Sequence, residues 1–585
     1  MKAETVLSVE QLNLEVGARR LVQDLSFSIG RNETLALVGE SGSGKTLTSL
    51  SIMRLLPSAV RVTSGRIRFG DDDVLTMSPK QVRNLCGNRI SMIFQEPMST
   101  LNPVMPVGRQ VLEVLRAHRA MTNAEAEKEV VRLFERVRIP DAKRRIGDYP
   151  HAFSGGMRQR IVIAAAIVCK PSLLIADEPT TALDVTVQAQ VLALLRELQD
   201  EYGMSMLFIT HDMGVVATIA DRVIVMKRGE IVEAGGTHGI FEQPAHRYTQ
   251  ELIGSSFSFE RIGAPPHDPA SLQRVDANRS VVLRVQGLTT RFDVKGGLLG
   301  RTVGRVHAVE DVSFALAKGE TLAVVGESGS GKSTTGRALL GLNTPSAGTI
   351  EYRDRVITRF SPADVAFLRR GVQMVFQDPY GSLDPRMKIG DAIAEPLICR
   401  GLCKSRSEAL ERTRFYLTKV GLDGAMAERL PHEFSGGQRQ RISIAKAVSL
   451  APDVLVADEA VSALDVTTKV RIIELLKALQ DEYRMAMIFI SHDIAAVSRV
   501  ADRIAVMYRG RIVEIGPRDA VLRAPAHAYT QRLLSATLSA DTSRRQLLKA
   551  TADVEQTSPL HPLDYQHPPC RIDEVGDDHF ILVAA

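Results

Sequence analysis

The sequence predicts an α/β fold that is built twice along one chain of 585 residues. Two observations carry this prediction. A set of motifs in the first half returns in the second half, in the same order and at a nearly constant separation. In addition, the motifs follow short apolar, β-branched runs such as Thr34–Val38 and Thr321–Val325, which are typical of buried strands. A repeat of this length indicates two homologous domains.

The first repeated motif is a glycine-rich loop with the pattern G-x-x-x-x-G-K-[S/T], followed by a predicted helix. Such a loop turns backbone N–H groups toward phosphate, its lysine adds positive charge at the β/γ-phosphates, and its hydroxyl takes a Mg²⁺ position. The helix places the phosphate at a helix N-terminus. The predicted ATP-binding residues are Gly39, Glu40, Ser41, Gly42, Ser43, Gly44, Lys45 and Thr46 in the first half, and Gly326, Glu327, Ser328, Gly329, Ser330, Gly331, Lys332 and Ser333 in the second.

The second repeated motif is an Asp-Glu pair at the end of an apolar run. The runs are Leu173–Ala176 and Val454–Ala457. Because adjacent strand residues face opposite sides, the two carboxylates should have different roles. We assign Mg²⁺ support to the aspartates and water activation to the glutamates, which are Asp177 with Glu178 and Asp458 with Glu459.

Together with four further elements, these motifs resemble those of ABC-transporter ATPases. The resemblance covers roughly residues 5–255 and 280–535, and its elements appear twice in the family's order. The further elements are the signature (Ser154, Gly155, Gly156 and Ser435, Gly436, Gly437), the Q-loop glutamines (Gln95, Gln377), the D-loops (Ala182–Asp184, Ala463–Asp465) and the switch histidines (His211, His492).

This resemblance implies that each domain has a RecA-like core, an antiparallel β subdomain and a helical signature subdomain. It also implies head-to-tail pairing, with each ATP between the loop of one domain and the signature of the other. The metal ligands implied are Thr46, Gln95 and Asp177, and Ser333, Gln377 and Asp458. One site would combine Lys45, Gln95, Asp177, Glu178 and His211 with Ser435 and Gly437; the other would combine Lys332, Gln377, Asp458, Glu459 and His492 with Ser154 and Gly156. Since both sets are complete, we expect both sites to hydrolyse ATP.

The sequence departs from the family pattern in two places. An aromatic residue that stacks on adenine is expected before each loop; Phe292 fits in the second half, but Val16 holds the aligned position in the first. Adenine stacking is therefore predicted for the second site and placed in doubt for the first. Met157 replaces the usual signature glutamine, and we expect little loss from this change.

Local features are similar to those of the oligopeptide/dipeptide importer ATPases. They are the Q-loop segments Gln95–Pro103 and Gln377–Pro385, the elements Pro244–Thr249 and Pro525–Thr530, and the insert Lys295–Gly304, which occurs only in the second half. The resemblance implies an ATP-hydrolysing subunit of a peptide importer for glutathione, dipeptides or oligopeptides. It implies two transmembrane permease subunits and, indirectly, a solute-binding protein as partners, at the cytoplasmic face of the bacterial inner membrane.

Two details of these segments carry their own predictions. His246 and His527 are interpreted as residues at helix starts with no ligand role. The proline-bearing stretches Pro97–Pro103 and Pro379–Pro385 are predicted to form the permease docking surface.

Composition excludes several classes of protein. The chain is 44% hydrophobic and 24% charged, and it has no apolar run of about 18 residues, so we expect no membrane span. A net charge of +5 is mild for this length and predicts no nucleic-acid partner. Five scattered cysteines favour a reducing compartment. No iron–sulfur cluster is expected because the tail carries only Cys570, and a metal site on His567 and Cys570 is disfavoured because two ligands are a weak set.

The predicted organisation is a first domain over residues 1–255, a linker over 256–280, a second domain over 281–539 and a polar, proline-containing tail over 540–585. One alternative is a soluble tandem ABC ATPase that acts on the ribosome or DNA. It is disfavoured because the linker is short and mixed in charge, and paired C-x-x-C modules are absent. Another alternative, a tandem sugar-importer ATPase, is disfavoured because both halves are intact.

Overall fold

A computed structural model of the chain describes residues 4–95, 100–180, 183–256, 280–296, 301–462, 464–537 and 560–584. It divides into two compact units. The first contains the described residues of Met1–Phe257 and Asp465–Thr467, and the second those of Ser258–Leu464, Thr468–Thr537 and Asp553–Ala585. Apart from its two end residues, the predicted linker lies outside the described residues, as do Ala182 and Ala463 of the D-loops and Met98 of the first Q-loop segment.

The first unit contains a four-stranded antiparallel sheet and a six-stranded sheet. Their orders are β2-β1-β4-β5 and β10-β9-β3-β8-β7-β6, and the larger sheet is parallel except where β9 meets β10. The strands are β1 (Thr5–Val16), β2 (Arg19–Gly30), β3 (Thr34–Val38), β4 (Val60–Phe69), β5 (Asp72–Asp73), β6 (Ile90–Ile93), β7 (Leu173–Asp177), β8 (Ser205–Thr210), β9 (Arg222–Lys227) and β10 (Glu230–Gly236).

Helices flank this parallel sheet and form a separate helical region. They are Lys45–Ile52, Pro79–Leu85, Val107–His118, Asn123–Arg136, Ala142–Arg145, Gly155–Ile167, Val185–Tyr202, Met213–Ile219, Thr237–Glu242 and Arg247–Ser255. Strands β3, β7 and β8 are buried at every residue, as expected for parallel strands covered on both faces. The helical region packs on the sheet through one buried cluster, in which Val111, Phe134 and Ile161 of the helices lie with Ala176 and Phe208 of the strands.

The second unit repeats this plan and extends it. Its five-stranded sheet has the order β15-β14-β11-β12-β21, and its eight-stranded sheet has the order β16-β17-β18-β13-β19-β20-β23-β22. The strands are β11 (Val281–Gly296), β12 (Arg301–Ala317), β13 (Thr321–Val325), β14 (Ala347–Tyr352), β15 (Arg355–Ile357), β16 (Val372–Val375), β17 (Val454–Asp458), β18 (Ala486–Ile490), β19 (Arg503–Tyr508), β20 (Arg511–Pro517), β21 (Leu560–His561), β22 (Cys570–Gly576) and β23 (His579–Ala584).

The helices of the second unit occupy the corresponding positions. They are Lys332–Leu339, Pro362–Gly371, Ile389–Cys399, Arg406–Lys419, Gly436–Val448, Val466–Tyr483, Ile494–Val500, Arg518–Arg523 and Ala528–Ala536. The parallel core sheet, the antiparallel sheet and the helical region expected from the resemblance are therefore confirmed in both units. The insert Lys295–Gly304 lengthens the hairpin of β11 and β12, although its centre lies outside the described residues.

The described part of the C-terminal tail adds strands to both sheets of the second unit. Strand β21 pairs with β12 at the edge of the antiparallel sheet, and β23 pairs with β20 of the core sheet. Nothing in the polar composition of the tail had indicated these pairings. Within the described residues, no helix combines the length and apolarity needed to cross a membrane.

Candidate active sites

The glycine-rich loop of the first unit joins strand β3 to the helix Lys45–Ile52. Gly39 has a φ of 152°, and a Cβ there would lie 2.2 Å from the carbonyl oxygen of Met226, so no other residue fits. Gly44 starts the helix with a φ of 101°. In the second unit, a Cβ on Gly326 would lie at the same 2.2 Å from the carbonyl oxygen of Met507. These contacts explain in physical terms why the loop needs glycine at these positions.

The loop lysines lie folded against their own loops. Lys45 Nζ donates to the carbonyl oxygens of Gly39 and Glu40, both at 2.8 Å, and Lys332 repeats these contacts at 2.8 and 2.7 Å with its own loop. Both lysines are 5% exposed. Burial lowers the pKa of Lys45 from its ordinary value. Each ammonium group is thus held beside the backbone N–H groups that the sequence assigns to phosphate.

The hydroxyl after each lysine faces the aspartate at the end of the neighbouring strand. Thr46 Oγ1 lies 3.4 Å from Asp177 Oδ1, and Ser333 Oγ donates to Asp458 Oδ1 at 2.8 Å. Burial raises the pKa of Asp177 to about 6 and also raises that of Asp458. Oδ2 of Asp458 is buried and has no hydrogen-bond partner among the described residues. A buried oxygen pair of this kind fits Mg²⁺, which prefers oxygen ligands.

The adjacent glutamate of the first unit contacts a different pair of residues. Glu178 Oε2 accepts from Gln95 Nε2 at 3.0 Å, and Oε1 lies 3.0 Å from His211 Nδ1. Its backbone has a φ of 48°, a left-handed conformation that is uncommon for a residue with a side chain. The structure therefore brings the predicted base, the Q-loop glutamine and the switch histidine together, whereas Asp177 contacts Thr46.

The second unit repeats this arrangement with a longer histidine distance. Glu459 Oε2 accepts from Gln377 Nε2 at 2.8 Å, and Oε1 lies 3.4 Å from His492 Nδ1. Burial alone would raise the pKa of Glu459, but His492 and the positive charge of Lys332 hold it below its ordinary value. Glu459 is therefore a carboxylate at neutral pH.

The signature serines cap the helices that follow them. Ser154 Oγ accepts from the backbone N–H of Met157, and Ser435 Oγ accepts from that of Gln438, both at 3.3 Å. The side chain of Gln438 also accepts from the backbone N–H of Ser435 at 3.0 Å, which closes a capping box. Methionine cannot make this bond, so the first signature helix has one cap hydrogen bond fewer.

The structure also places the residue predicted to stack on adenine and the two histidines predicted at helix starts. Phe292 lies on β11 and is 43% exposed, which leaves its ring accessible, whereas Val16 ends β1. His246 accepts from the N–H of Tyr248, and His527 from that of Tyr529, both through Nδ1 at 3.1 Å. The interpretation of both histidines as helix-start residues is thereby confirmed.

The two tyrosines after these histidines are residues that sequence reasoning missed. Tyr248 Oη accepts from the backbone N–H of Glu40 at 2.9 Å, and Tyr529 Oη accepts from that of Glu327 at 3.0 Å. Each tyrosine thus holds one backbone N–H of its phosphate loop. The available signal was the recurrence of Pro-Ala-His-x-Tyr-Thr in both halves.

A phosphate loop, a strand-end carboxylate pair and a helix-capping signature on this fold define an ATP-binding cassette ATPase. The family model for ABC transporters matches residues 22–181 and 309–462, and the chain belongs to this family. A second model, for the C-terminal region of oligopeptide/dipeptide transporters, matches residues 232–275 and 513–562. Both models match twice, once in each half.

Curated relatives resemble the chain over nearly its whole length. The glutathione import ATP-binding protein of Pectobacterium atrosepticum is 49% identical over 582 residues, which cover 96% of this chain and 93% of that protein. The protein of the same name from Escherichia coli strain K12 is 47% identical over 610 residues, covering 99% and 97%.

Two solved structures of ABC cassette proteins are also similar. CbiO1 of Clostridium perfringens, part of an ABC transporter complex, is 28% identical with a TM-score of 0.37, and the match covers 43% of this chain and 94% of that one. The cassette MJ0796 bound to ADP and phosphate is 26% identical with a TM-score of 0.36, and the match covers 40% and 98%.

Proposed function

We propose that this chain is the ATP-hydrolysing subunit of a bacterial importer that takes up small peptides, with glutathione the first candidate and dipeptides or oligopeptides next. The observation that carries the proposal is the identity of nearly half of all residues, over both cassettes and the tail, with proteins named for glutathione import. The C-terminal-region match of the oligopeptide/dipeptide transporter model in both halves supports the same substrate class.

In the proposed chemistry, the loop lysines Lys45 and Lys332 bind the β/γ-phosphates together with the loop N–H groups. Thr46 with Asp177, and Ser333 with Asp458, would hold Mg²⁺, joined by the Q-loop glutamines; the ion supplies charge neutralisation at the phosphates when bound. The proposed domain boundaries are those predicted from the sequence, at residues 1–255 and 281–539.

The glutamates act on the attacking water. Glu178 accepts a proton from water while a bond forms between the water oxygen and the γ-phosphorus, and the bond to the β-phosphate oxygen breaks to release ADP. The contacts of Glu178 with His211 and Gln95 hold its carboxylate in one orientation. Glu459, His492 and Gln377 perform the same work at the second site.

The proposed partners are two membrane permease subunits and, through them, a solute-binding protein. The chain would lie on the cytoplasmic face of the inner membrane, attached through the permeases. The head-to-tail pairing inferred from the resemblance stays a prediction, as does the contribution of each signature to the opposite nucleotide.

Transport by a reconstituted system tests this function. The chain is combined in proteoliposomes with the permeases encoded beside its gene and with the accompanying binding protein. ATP-dependent uptake of labelled glutathione, a dipeptide and a pentapeptide is then compared. We expect uptake of at least one, and its loss in a variant that carries both Glu178→Gln and Glu459→Gln. ATP hydrolysis that stays independent of permeases and peptide, without uptake, would contradict the proposal.

A further inference from the structure

We propose that His307, Glu310 and His567 form a binding site for one divalent transition metal ion, of which Zn²⁺ is the best match. Each residue offers one ligand atom, and the three atoms lie within 4.8 Å of one another. The first two residues lie on β12, and the third lies in the C-terminal segment between β21 and β22. These residues have no part in the proposed ATP chemistry, so the site is a separate one.

The distances between the three ligand atoms suit a small metal ion. His307 Nδ1 lies 3.0 Å from His567 Nε2 and 3.1 Å from Glu310 Oε1, and His567 Nε2 lies 4.0 Å from Glu310 Oε2. Around a tetrahedral Zn²⁺ with bonds of about 2.0–2.1 Å, neighbouring ligand atoms lie about 3.3 Å apart. An ion could therefore enter with small side-chain movements.

A β-bulge explains how two residues three apart on one strand come to the same place. In a regular strand, residues at i and i+3 face opposite sides. Here Thr290 pairs with Val309 and Arg291 pairs with His307, so Ala308 is an extra residue on β12. Bulges of this kind re-aim side chains. The local backbone therefore turns His307 and Glu310 toward each other.

The cluster is buried, and the hydrogen bonds among its three side chains cannot satisfy all of the facing atoms. The side chains of His307, Glu310 and His567 are 3%, 6% and 14% exposed. His307 Nδ1 faces an imidazole nitrogen and a carboxylate oxygen at once, yet it carries at most one proton. A neutral imidazole keeps a lone pair on its unprotonated ring nitrogen. A cation accepts lone pairs from all three groups together.

Neighbouring residues already orient the proposed ligands. Arg291 donates to both oxygens of Glu310, at 2.6 and 2.8 Å, and each carboxylate oxygen keeps a further lone pair. Such contacts around a ligand are typical of metal sites and fix its direction. The C-terminal segment is positioned by the pairing of His561 with Arg305 and by the stacking of His561 on Tyr565 at 3.9 Å.

The donor set identifies the class of ion. Two imidazoles and one carboxylate suit Zn²⁺ and neighbouring transition metals, whereas Mg²⁺ and Ca²⁺ prefer oxygen-only sites. Three protein ligands leave one tetrahedral position for water. The bound ion would fasten the C-terminal segment to β12, the strand that pairs with the Phe292 region of β11.

Metal binding by the full-length chain tests the assignment. Protein treated with EDTA and freed of nucleotide is titrated with Zn²⁺, and with Co²⁺ as a spectroscopic probe. Because the phosphate-loop residues can also take a cation, the measured quantity is the difference between wild type and variants. We expect wild type to bind one more Zn²⁺ than His567→Ala or His307→Gln. At this site, the affinity of wild type for Zn²⁺ should exceed that of either variant by at least about tenfold. Wild type with Co²⁺ should show the visible absorption of four-coordinate Co²⁺.

Two further variants separate a metal ligand from a structural role. His432→Ala removes an exposed histidine elsewhere in the second unit and should leave binding unchanged. His567→Cys keeps a ligand and should add a sulfur-to-Co²⁺ charge-transfer band in the near ultraviolet. Circular dichroism without metal checks that each variant is folded. Equal Zn²⁺ binding by wild type, His567→Ala and His307→Gln, or a folded His567→Cys without the new band, would overturn the proposal.

Discussion

Replacing either candidate base by glutamine should abolish most ATP turnover while nucleotide binding remains. In Glu178→Gln the side chain keeps its size but loses its charge and its ability to accept a proton. In the wild type, Glu178 Oε2 accepts from Gln95 Nε2 at 3.0 Å. If the amide nitrogen of the new glutamine took the position of Oε2, two N–H donors would face each other. The contacts of Lys45 with its loop are untouched. The same reasoning applies to Glu459→Gln.

The expected size of the effect follows from the role. A positioned general base contributes about 10²–10⁴-fold, which is roughly 2.7–5.4 kcal/mol of activation free energy at 1.36 kcal/mol per decade. The altered site would therefore retain at most about 1% of its rate. If the two sites worked independently, a single variant would keep about half of the total turnover. We expect much less than half, because the resemblance implies that the two domains act together.

The assay is steady-state phosphate release at saturating Mg-ATP, with binding of a fluorescent ATP analogue measured in parallel. Glu230→Gln, at an exposed position of β10, serves as the matched control. Wild-type turnover in one of the two base variants would show that the corresponding half is regulatory, and would refute the symmetry of the two sites. Loss of analogue binding would instead show that the carboxylate supports the loop.

Three other outcomes are expected. Phe292→Ala should weaken nucleotide binding at its site by ~1–3 kcal/mol, which is the scale of base–aromatic stacking. Val16→Ala should change nucleotide affinity little in the same titration. Equal effects of the two substitutions would show that another aromatic residue serves the first site. Met98→Asp combined with Tyr380→Asp puts charge on the proposed permease grooves. We expect this double variant to reduce transport sharply and to leave basal ATP hydrolysis intact. Unchanged transport would place the permease contact elsewhere. Burial raises the pKa of Asp177 from 3.8 to about 6, so ionisation costs the folded state stability as pH rises through that range. Asp177→Asn should therefore raise the free energy of unfolding, measured by urea denaturation in EDTA at pH 7.5, by an amount on the order of 2–3 kcal/mol, and the gain should shrink toward pH 5; a gain that is the same at both pH values would contradict this reasoning.

The parts of the fold that could be predicted from the sequence are those encoded by consecutive residues. Thr34–Val38 was expected as a buried strand, and β3 has these bounds. The expected strand ending in Asp-Glu is β7, which ends at Asp177. The contact of Glu178 with Gln95 joins residues far apart in sequence, and the family resemblance had placed both residues in one site without specifying the contact. Local pattern and family motif together therefore account for the core of each site.

The parts that could not be predicted depend on pairing between distant segments. Tyr248 reaches the loop residue Glu40 across 208 positions, and no local pattern reveals the partner of a hydroxyl group. Strand β23 was hidden inside a segment described only as a polar tail, although His579–Ala584 is largely apolar. The bulge at Ala308 is likewise set by the pairing of β11 with β12. In each case the missing information is which distant residue or strand lies beside the one in question.

Equivalent motifs do not make equivalent sites, because the residues around the motifs differ. Lys469 forms an ion pair of 2.5 Å with Asp493, the residue after the switch histidine. Although burial opposes its charge, this partner holds the pKa of Asp493 at about 2. In the first unit Gln188 donates to Thr180 instead, and the base-to-histidine distance is 3.0 Å rather than 3.4 Å. A charged pair beside one switch histidine and a neutral contact in the other half set different electrostatic surroundings for the same chemistry. The ion pair of Lys469 therefore adds to the differences at Phe292 and Met157 that already distinguish the two sites.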